Sequence, residues 1–289
     1  MAKGKHRILV LGAQGQLGAS IRTIHNDYPG SSFTFTDVGE LDITDSGALK
    51  DHFAANEYDF VINCAGYTAV DRAESDEEAA FRLNAGAPAE IAGLIGDTGV
   101  LFIHISTDYV FDGRKNRPYH EEDEPGPLSV YGTSKLKGEQ ELRMTGAPCL
   151  CIRTSWLYSE FGHNFMKTIL NKAKTDPEIK VIFDQTGTPT YAGDLARAIL
   201  EIIPKLDIHN FELYHLSNEG VASWYDFAVA IVNAAGTDTR VIPVETGEFD
   251  LPAKRPYYSV MNKKRIRDDF GLCIPHWHDS LLKAIQNPK

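Results

Sequence analysis

The chain has 289 residues, of which 43% are hydrophobic and 24% charged, as is ordinary for a soluble globular protein of one or two domains. Its formal net charge of −11 argues against non-specific binding to nucleic acid or to a membrane surface, but not against a small anionic ligand. No apolar run approaches the roughly eighteen residues of a membrane-spanning helix, and the first such run is too short for a signal peptide, so we expect a cytoplasmic location.

The first half of the chain alternates short apolar runs with amphipathic stretches. Five apolar runs predict strands: RILVLG at 7–12, SFTFTD at 32–37, DFVINCAG at 59–66, VLFIHIS at 100–106 and PCLCIRTS at 148–155. Runs this continuous are typical of strands buried on both faces of a parallel sheet. Helical patterns separate them. This order predicts an α/β fold with a doubly wound parallel sheet of the Rossmann type.

After about Trp156 this rhythm breaks. The elements predicted beyond it are a helix at 164–175, a strand at 180–184, a helix at 192–203, a strand at 212–217 and a helix at 223–236. We therefore predict a dinucleotide-binding domain of residues 1–155, to which about 186–216 return. A second, smaller mixed α/β substrate domain is predicted from about 156–185 and 217–289, with a cleft between the two.

A glycine-rich turn, VLGAQGQLG, follows the first predicted strand. Gly12 would allow the tight turn, Gly15 the close approach of a pyrophosphate, and Gly18 the close packing of the next helix on the sheet. The start of that helix offers N–H groups to an anion. Asp37, at the end of the second strand, can accept from both hydroxyls of an adenosine ribose and would repel a 2′-phosphate. The pattern therefore predicts a nicotinamide dinucleotide and favours NAD over NADP.

Candidate catalytic residues follow the fourth predicted strand. Thr107 and Asp108 end that strand, and Tyr131 and Lys135 are four residues apart, so they share one face of a helix. Reduction of a ketone by hydride leaves an alkoxide that needs a proton. We predict that Tyr131 donates it, that Lys135 lowers the pKa of Tyr131 and binds the nicotinamide ribose, and that Thr107 polarises the carbonyl. The alternative is an ordinary polar surface of a helix.

The spacing G-x-x-G-x-x-G is the form found in short-chain dehydrogenase/reductases. The motifs GAQGQLG, NCAGYTAVDRAE, STDYVFDG, YGTSKLKGE and RTSWLY resemble the dTDP-4-dehydrorhamnose reductase family of extended short-chain dehydrogenase/reductases. The resemblance covers most of the chain, including RPYYSVMN near its end. It implies NAD(P)H-dependent reduction of the C4 ketone of dTDP-4-dehydro-β-L-rhamnose to dTDP-L-rhamnose. One departure is NCAGYTAVD, where much of the family has NAAAYTAVD.

The resemblance also implies roles for further residues. The additional cofactor contacts it implies are Gln16, Leu17, Asp42, Ile43, Ala65, Gly66 and Tyr67. The substrate contacts it implies are Thr107 and Asp108 on the sugar, Trp156 on the hexulose ring and Arg255, with Lys254, on the diphosphate. Each of three residues also has an ordinary structural interpretation: Asp42 as a helix N-cap with Thr44 and Asp45, Trp156 as a core anchor, and Arg255 as part of a solvated basic loop.

Other functions are compatible with the same fold. A nucleotide-sugar 4,6-dehydratase is disfavoured, because such enzymes carry a glutamate where this chain has Tyr109. An NAD-dependent nucleotide-sugar epimerase uses the same Tyr/Lys pair and stays open. So does a non-catalytic regulatory subunit like that of methionine adenosyltransferase. No spacing of residues predicts a metal site, although relatives that dimerise around a divalent ion make a homodimer with such an ion a further alternative.

Overall fold

The computed structural model describes residues 6–286. Strands β1 to β12 are, in chain order, His6–Leu11, Ser31–Thr36, Phe60–Asn63, Leu101–Thr107, Cys149–Thr154, Leu157–Tyr158, Glu178–Ile182, Thr186–Gly187, Thr190–Tyr191, Phe211–His215, Ala222–Ser223 and Arg240–Val244. Helices α1 to α11 are Gln16–Ile24, Ser46–Ala55, Val70–Ala73, Glu77–Phe81, Ala87–Ile95, Val130–Thr145, Phe165–Lys172, Ala192–Ile202, Trp224–Ala235, Lys264–Phe270 and Trp277–Gln286. Within the same residues, no helix is both long and apolar enough to cross a membrane.

Six strands form one parallel sheet in the order β10-β5-β4-β3-β1-β2. The predicted doubly wound sheet is therefore confirmed, with the predicted strand at 212–217 as its sixth member. The direction of winding reverses between β1 and β3. In open sheets of this kind, ligands bind beyond the carboxyl ends of the strands at such a reversal. The turn after β1 and the segment after β3 are thus the expected position of a site.

Both faces of this sheet are covered, which explains why its strands are apolar without alternation. On β1, Ile8 and Val10 belong to a hydrophobic cluster with residues of α1 and α8. Leu9 and Leu11 belong to a second cluster, on the opposite face, with residues of α2 and α5. All four side chains are at most 1% exposed. Burying one such side chain contributes about 1.5–3 kcal/mol, so both faces of the sheet stabilise the fold.

A third hydrophobic cluster lies outside the sheet. It is built from residues of β6, α7, β7, α9 and α11, with Phe227 and Leu281 fully buried in it. β7 pairs with β12 in a separate two-stranded parallel sheet. The sequence pattern did not predict β12, α10 or α11.

One of the helical patterns that separate the predicted strands, residues 79–99, corresponds to a continuous helical segment that contains a π-helical turn. A π-helical turn, Arg82–Gly86, separates α4 from α5, and the Ala87 N–H donates to the carbonyl of Arg82, five residues earlier. Pro88 has no N–H to donate to a carbonyl of the preceding turn, so the regular ladder of α-helical hydrogen bonds is incomplete at this point. The widened turn carries Asn84, whose side chain is fully buried.

Candidate active site

The glycine turn connects β1 to α1 and packs against the end of β3. Gly12 has φ +71°, and a Cβ at this position would lie 2.6 Å from the backbone nitrogen of Ala65. A Cβ on Gly18 would collide with the carbonyl oxygen of Gly12 and lie 2.6 Å from the Cα of Ala13. Gly15 is the N-cap of α1, and no side chain among residues 6–286 caps that helix. The backbone N–H groups at the N-terminus of α1 are therefore not capped by a side chain, and they could bind a phosphate.

Asp37 lies beside this turn, at the end of β2. Its Oδ2 accepts from the N–H of Gln14 at 2.7 Å, and its Oδ1 accepts from the N–H of Val38 at 2.9 Å. A carboxylate offers about four acceptor positions, so two backbone bonds leave capacity for ribose hydroxyls. Asp37 is partly exposed and follows β2, which is an edge strand of the sheet.

Asp42 and Ile43 lie further along the same loop. The Oδ1 of Asp42 accepts from the N–H and the hydroxyl of Thr44, both at 2.8 Å, and these bonds lower the pKa of Asp42. The N-cap of α2 is Asp45. The alternative in which Asp42 caps the helix is therefore wrong. The Ile43 side chain is buried in the cluster beneath α2, which leaves little of its surface for a ligand.

Asn84 organises the segment after β3. Its Oδ1 accepts from the Tyr67 N–H at 2.9 Å, and its Nδ2 donates to the Tyr67 carbonyl at 3.1 Å and to Ser134 Oγ at 2.9 Å. A Cβ on Gly66 would lie 2.9 Å from the Nζ of Lys135. The glycine that departs from the family's common alanine thus gives this lysine room beside the end of β3.

Gln16 and Leu17 begin α1 but direct their side chains away from the turn. Gln16 Oε1 accepts from Asn164 Nδ2 at 2.9 Å and from Ser159 Oγ at 3.1 Å, which ties α1 to the segment before α7. Leu17 is 4% exposed and packs in the hydrophobic core. Gln16 and Leu17 can therefore offer a phosphate their backbone N–H groups, but not their side chains.

Tyr131 and Lys135 lie in the first two turns of α6. Ser129 caps this helix, accepting from the N–H of Gly132 at 3.2 Å. Lys135 is 4% exposed and its Nζ donates to the carbonyl of Ile105 at 2.9 Å, whereas Tyr131 is partly buried. The alternative of a polar surface helix is therefore wrong for Lys135.

The predicted lowering of the Tyr131 pKa by Lys135 is wrong. Burial raises the pKa of Tyr131 to about 12; a hydrogen bond with Thr107 opposes this, and the charge of Asp108 adds to it. Burial lowers the pKa of Lys135 to about 8. The cost of removing a charge from water is therefore the main cause of both pKa shifts. The phenol is protonated at neutral pH.

Asp108 is almost fully buried beside this pair. Its Oδ1 accepts from the hydroxyl of Thr107 at 3.1 Å. Burial raises the pKa of Asp108 to about 7, against hydrogen bonds from Ser259 and Thr107 that lower it. The carboxyl at this position therefore carries a proton for much of the time at neutral pH, and can act as a hydrogen-bond donor or acceptor.

Arg255 joins two of the motifs that carry the resemblance. Its Nη2 pairs with the Oδ2 of Asp71 at 2.7 Å, and its Nη1 donates to the carbonyl of Ala253 at 3.0 Å. It also hydrogen-bonds Tyr109, whose ring lies 5.7 Å from that of Tyr131. The interpretation of Arg255 as a freely solvated residue is therefore wrong, whereas Lys254 is exposed.

Trp156 lies in a packed aromatic group. Its ring stacks on Trp224 at 3.6 Å, with 6° between the planes, and a Cβ on Gly187 would lie 2.6 Å from it. Trp156 has φ +46°, the one positive φ at a non-glycine residue between positions 6 and 286. Such a backbone costs about 1–3 kcal/mol and concentrates at functional sites. The side chain remains partly exposed.

Residues 6–289 match the family model of the RmlD substrate binding domain. The chain belongs to this family. It is 37% identical over 282 residues to the spore coat polysaccharide biosynthesis protein SpsK of Bacillus subtilis, covering 97% of each chain. Two solved dTDP-4-dehydrorhamnose reductases superpose with TM-scores of 0.92. The one from Clostridium acetobutylicum is 41% identical (97% of this chain, 98% of that one), and the one from Bacillus anthracis, in complex with NADP, is 35% identical (98% and 99%).

Membership of the RmlD family confirms the resemblance seen in the motifs, but several residues at the site carried no recognisable signal. Asn84 is an isolated polar residue in a helical pattern, Ser259 lies within RPYYSVMN but was not singled out there, and Trp224 is an aromatic residue at the start of a helix. Each acquires a role only through a distant partner. Among residues 6–286, no group of three or more histidine, cysteine, aspartate or glutamate side chains could hold a metal ion.

Proposed function

We propose that this protein reduces the C4 ketone of dTDP-4-dehydro-β-L-rhamnose to dTDP-L-rhamnose with NAD(P)H. Its place in the RmlD family, and its likeness to two solved dTDP-4-dehydrorhamnose reductases, support this activity. The single structural observation that carries it is the meeting of Thr107, Tyr131 and Lys135 at the carboxyl end of β4. That end lies in the row of strand ends that includes the glycine turn.

The residues around the reversal of the sheet fit a nicotinamide dinucleotide. Gly12 and Gly18 let the turn pack closely on the end of β3 and on α1, because a Cβ on either would collide with backbone atoms, and the N-terminus of α1 would receive the pyrophosphate. Asp37 would hold the adenosine ribose, and Lys135 the nicotinamide ribose beside Gly66. When bound, the reduced nicotinamide supplies the hydride.

The remaining chemistry belongs to side chains of this chain. The hydroxyl of Thr107 donates to the substrate carbonyl and polarises it. The protonated Tyr131 transfers its proton to the oxygen as negative charge develops there, and the Lys135 ammonium stabilises that charge. Asp108 and Trp156 would contact the sugar, and the N–H groups of Arg255 left free by Asp71 and Ala253 would meet the diphosphate.

Turnover with stoichiometric cofactor is the direct test of this function. Incubation with dTDP-4-dehydro-β-L-rhamnose should oxidise one NADH or NADPH for each ketone reduced. The absorbance of the reduced cofactor measures this oxidation. Comparing this rate with the rate on the UDP-linked ketone tests which nucleotide the protein prefers. An epimerase would convert its substrate with no net loss of NADH. A regulatory subunit would not convert the keto sugar and would not oxidise the cofactor. Either result would contradict the proposed reduction.

We also propose that Asp37 makes NADH the preferred cofactor. Replacing Asp37 by Ala should lower kcat/KM for NADH by roughly ten- to a hundred-fold, the value of a hydrogen bond to a charged group. It should lower kcat/KM for NADPH less, because the repulsion of the 2′-phosphate is also removed. Asp51→Ala, which removes an exposed acid from α2, is the matched control. An unchanged ratio of the two kcat/KM values would exclude this role.

Four further features of the protein are proposed. They are its division into the two domains given above, a cytoplasmic location, a homodimer, and a divalent ion at the interface of that dimer. Light scattering with and without a chelator would test the last two. The alternative of a 4,6-dehydratase gains no support from the site, since Tyr109, buried and bonded to Arg255, occupies the position of the required glutamate.

A further inference from the structure

Three consecutive residues at the end of β4 lie against the same face of α6, and two of them are hydrogen-bonded to it. Lys135 Nζ donates to the carbonyl of Ile105 at 2.9 Å, and Ser106 Oγ donates to Glu139 Oε1 at 2.5 Å. Thr107 lies beside Tyr131, close enough for its hydroxyl to lower the pKa of that phenol. The helix residues are spaced four apart, so they form one row along α6. The two candidate catalytic residues of α6 are thus the first two of three members, and Glu139 is the third.

Glu139 also joins this row to β5. Arg153 donates from Nε to Oε1 at 2.8 Å and from Nη2 to Oε2 at 2.6 Å, so the ion pair is bidentate. The side chains are 2% and 5% exposed. Arg153 is the neighbour of Ser106 in the register of β4 with β5. One carboxylate therefore holds α6, β4 and β5 together directly behind the candidate catalytic residues.

Stability alone is a poor explanation for this ion pair. The desolvation of two buried charges consumes most of their mutual attraction, and apolar replacements of such pairs are often neutral or stabilising. A bidentate pair does fix geometry well. Its position behind Thr107, Tyr131 and Lys135 therefore points to a role in arranging them.

The charge of Glu139 also acts on Lys135. Burial lowers the pKa of Lys135, and Cys151 and Glu139 oppose that effect. Burial raises the pKa of the Cys151 thiol well above its usual value, so the thiol is uncharged at neutral pH. His104 on β4 is buried with its pKa lowered, and is neutral as well. With Tyr131 also protonated, Glu139 is the negative charge that favours the ammonium form of Lys135.

We propose that Glu139, anchored by Arg153, is a positioning residue of the active site, which holds the end of β4 against α6 and keeps the positive charge on Lys135. This rests on the proposed reductase function, because it assigns Lys135 and Thr107 to catalysis. It adds two residues that do not touch the reacting atoms. Their effect reaches the reaction through Ser106 and Lys135.

Replacing Glu139 by Gln tests both parts of this role. The amide keeps the shape but removes the charge, so kcat should fall by roughly a hundred-fold, as small misplacements of reacting groups can cause. Because loss of the negative charge lowers the pKa of Lys135, the decline of kcat at alkaline pH should begin at lower pH than in the wild type. Glu139→Asp keeps the charge, so its pH profile should return toward that of the wild type while kcat stays reduced.

Two further variants keep the test decisive. Glu219→Gln removes a comparable carboxylate, one paired with Lys263 and Arg267 away from α6, and should leave the pH profile unchanged. If Glu139→Gln does not fold, Ser106→Ala removes one bond of the carboxylate and should still lower kcat. Wild-type kcat and pH profile in Glu139→Gln, or wild-type kcat in Ser106→Ala, would overturn the positioning role alone. Absence of turnover by the wild-type protein would instead overturn the proposed function, and this role with it.

Discussion

Replacing Tyr131 by Phe should abolish most of the turnover while leaving cofactor binding intact. The variant loses one hydroxyl, which in the proposed mechanism supplies the proton to the newly formed alkoxide. General acid catalysis by a positioned side chain contributes about 10²–10⁴-fold, so kcat should fall by that factor. The Kd for NADH, measured by fluorescence, should change by no more than about two-fold, since the ring and Lys135 remain in place.

A matched control is available for this change. Tyr119 is buried, its ring stacks on Phe111 at 4.1 Å, and its hydroxyl donates to Asp112 at 2.8 Å. Tyr119→Phe should lower the free energy of unfolding by about 1 kcal/mol, the net value of a hydrogen bond, and should leave kcat unchanged. If Tyr131→Phe kept the turnover of the wild type, another group would be the proton donor.

The raised pKa of Tyr131 changes how this donor works. A phenol whose pKa is about 12 stays protonated throughout the neutral range, which suits a residue that must give up a proton. The hydrogen bond with Thr107 favours the ionised form and opposes the effect of burial. The Lys135 ammonium then contributes by stabilising the developing charge and by holding the cofactor ribose, rather than by making the phenol acidic in advance.

The features that the sequence predicts well are those with local causes. The strands of the sheet are continuous apolar runs because both of their faces are buried, and the glycine turn is required by contacts within a few residues of the chain and with the end of β3. The spacing of Tyr131 and Lys135 fixes their common helix face. Each of these leaves a pattern within a short stretch of the sequence, even where the contact that requires it lies elsewhere in the fold.

The features that escaped prediction depend on partners far apart in the chain. Glu139 and Arg153 form a pair because β5 brings Arg153 under α6, and Asn84 becomes a bridge only because the fold places it between Tyr67 and Ser134. The pKa of Tyr131 was predicted with the wrong sign because burial is a property of the folded protein. A sequence motif shows that a charged residue lies near Tyr131, but it does not show how deeply the phenol is buried.

The contact between the glycine turn and α1 leads to the second large expected effect. A Cβ on Gly18 would meet the carbonyl of Gly12 and the Cα of Ala13, which are backbone atoms that no side-chain rotation can move away. Gly18→Ala should therefore push α1 from the turn and lower the free energy of unfolding by about 1–3 kcal/mol, the usual cost of overpacking. Because the same shift displaces the N–H groups placed for the pyrophosphate, NADH affinity should fall by more than ten-fold.

The same substitution elsewhere shows that the contact, and not the loss of glycine, is responsible. Gly93 lies in α5, is exposed, and a Cβ there would have no atom within 4 Å. Gly93→Ala should be neutral or stabilise the protein by roughly 0.5–1 kcal/mol, because alanine is the better helix former, and NADH affinity should not change. Urea denaturation and NADH fluorescence titration measure both quantities. A Gly18→Ala protein that binds NADH as tightly as Gly93→Ala would show that the first glycine turn is not where the cofactor binds.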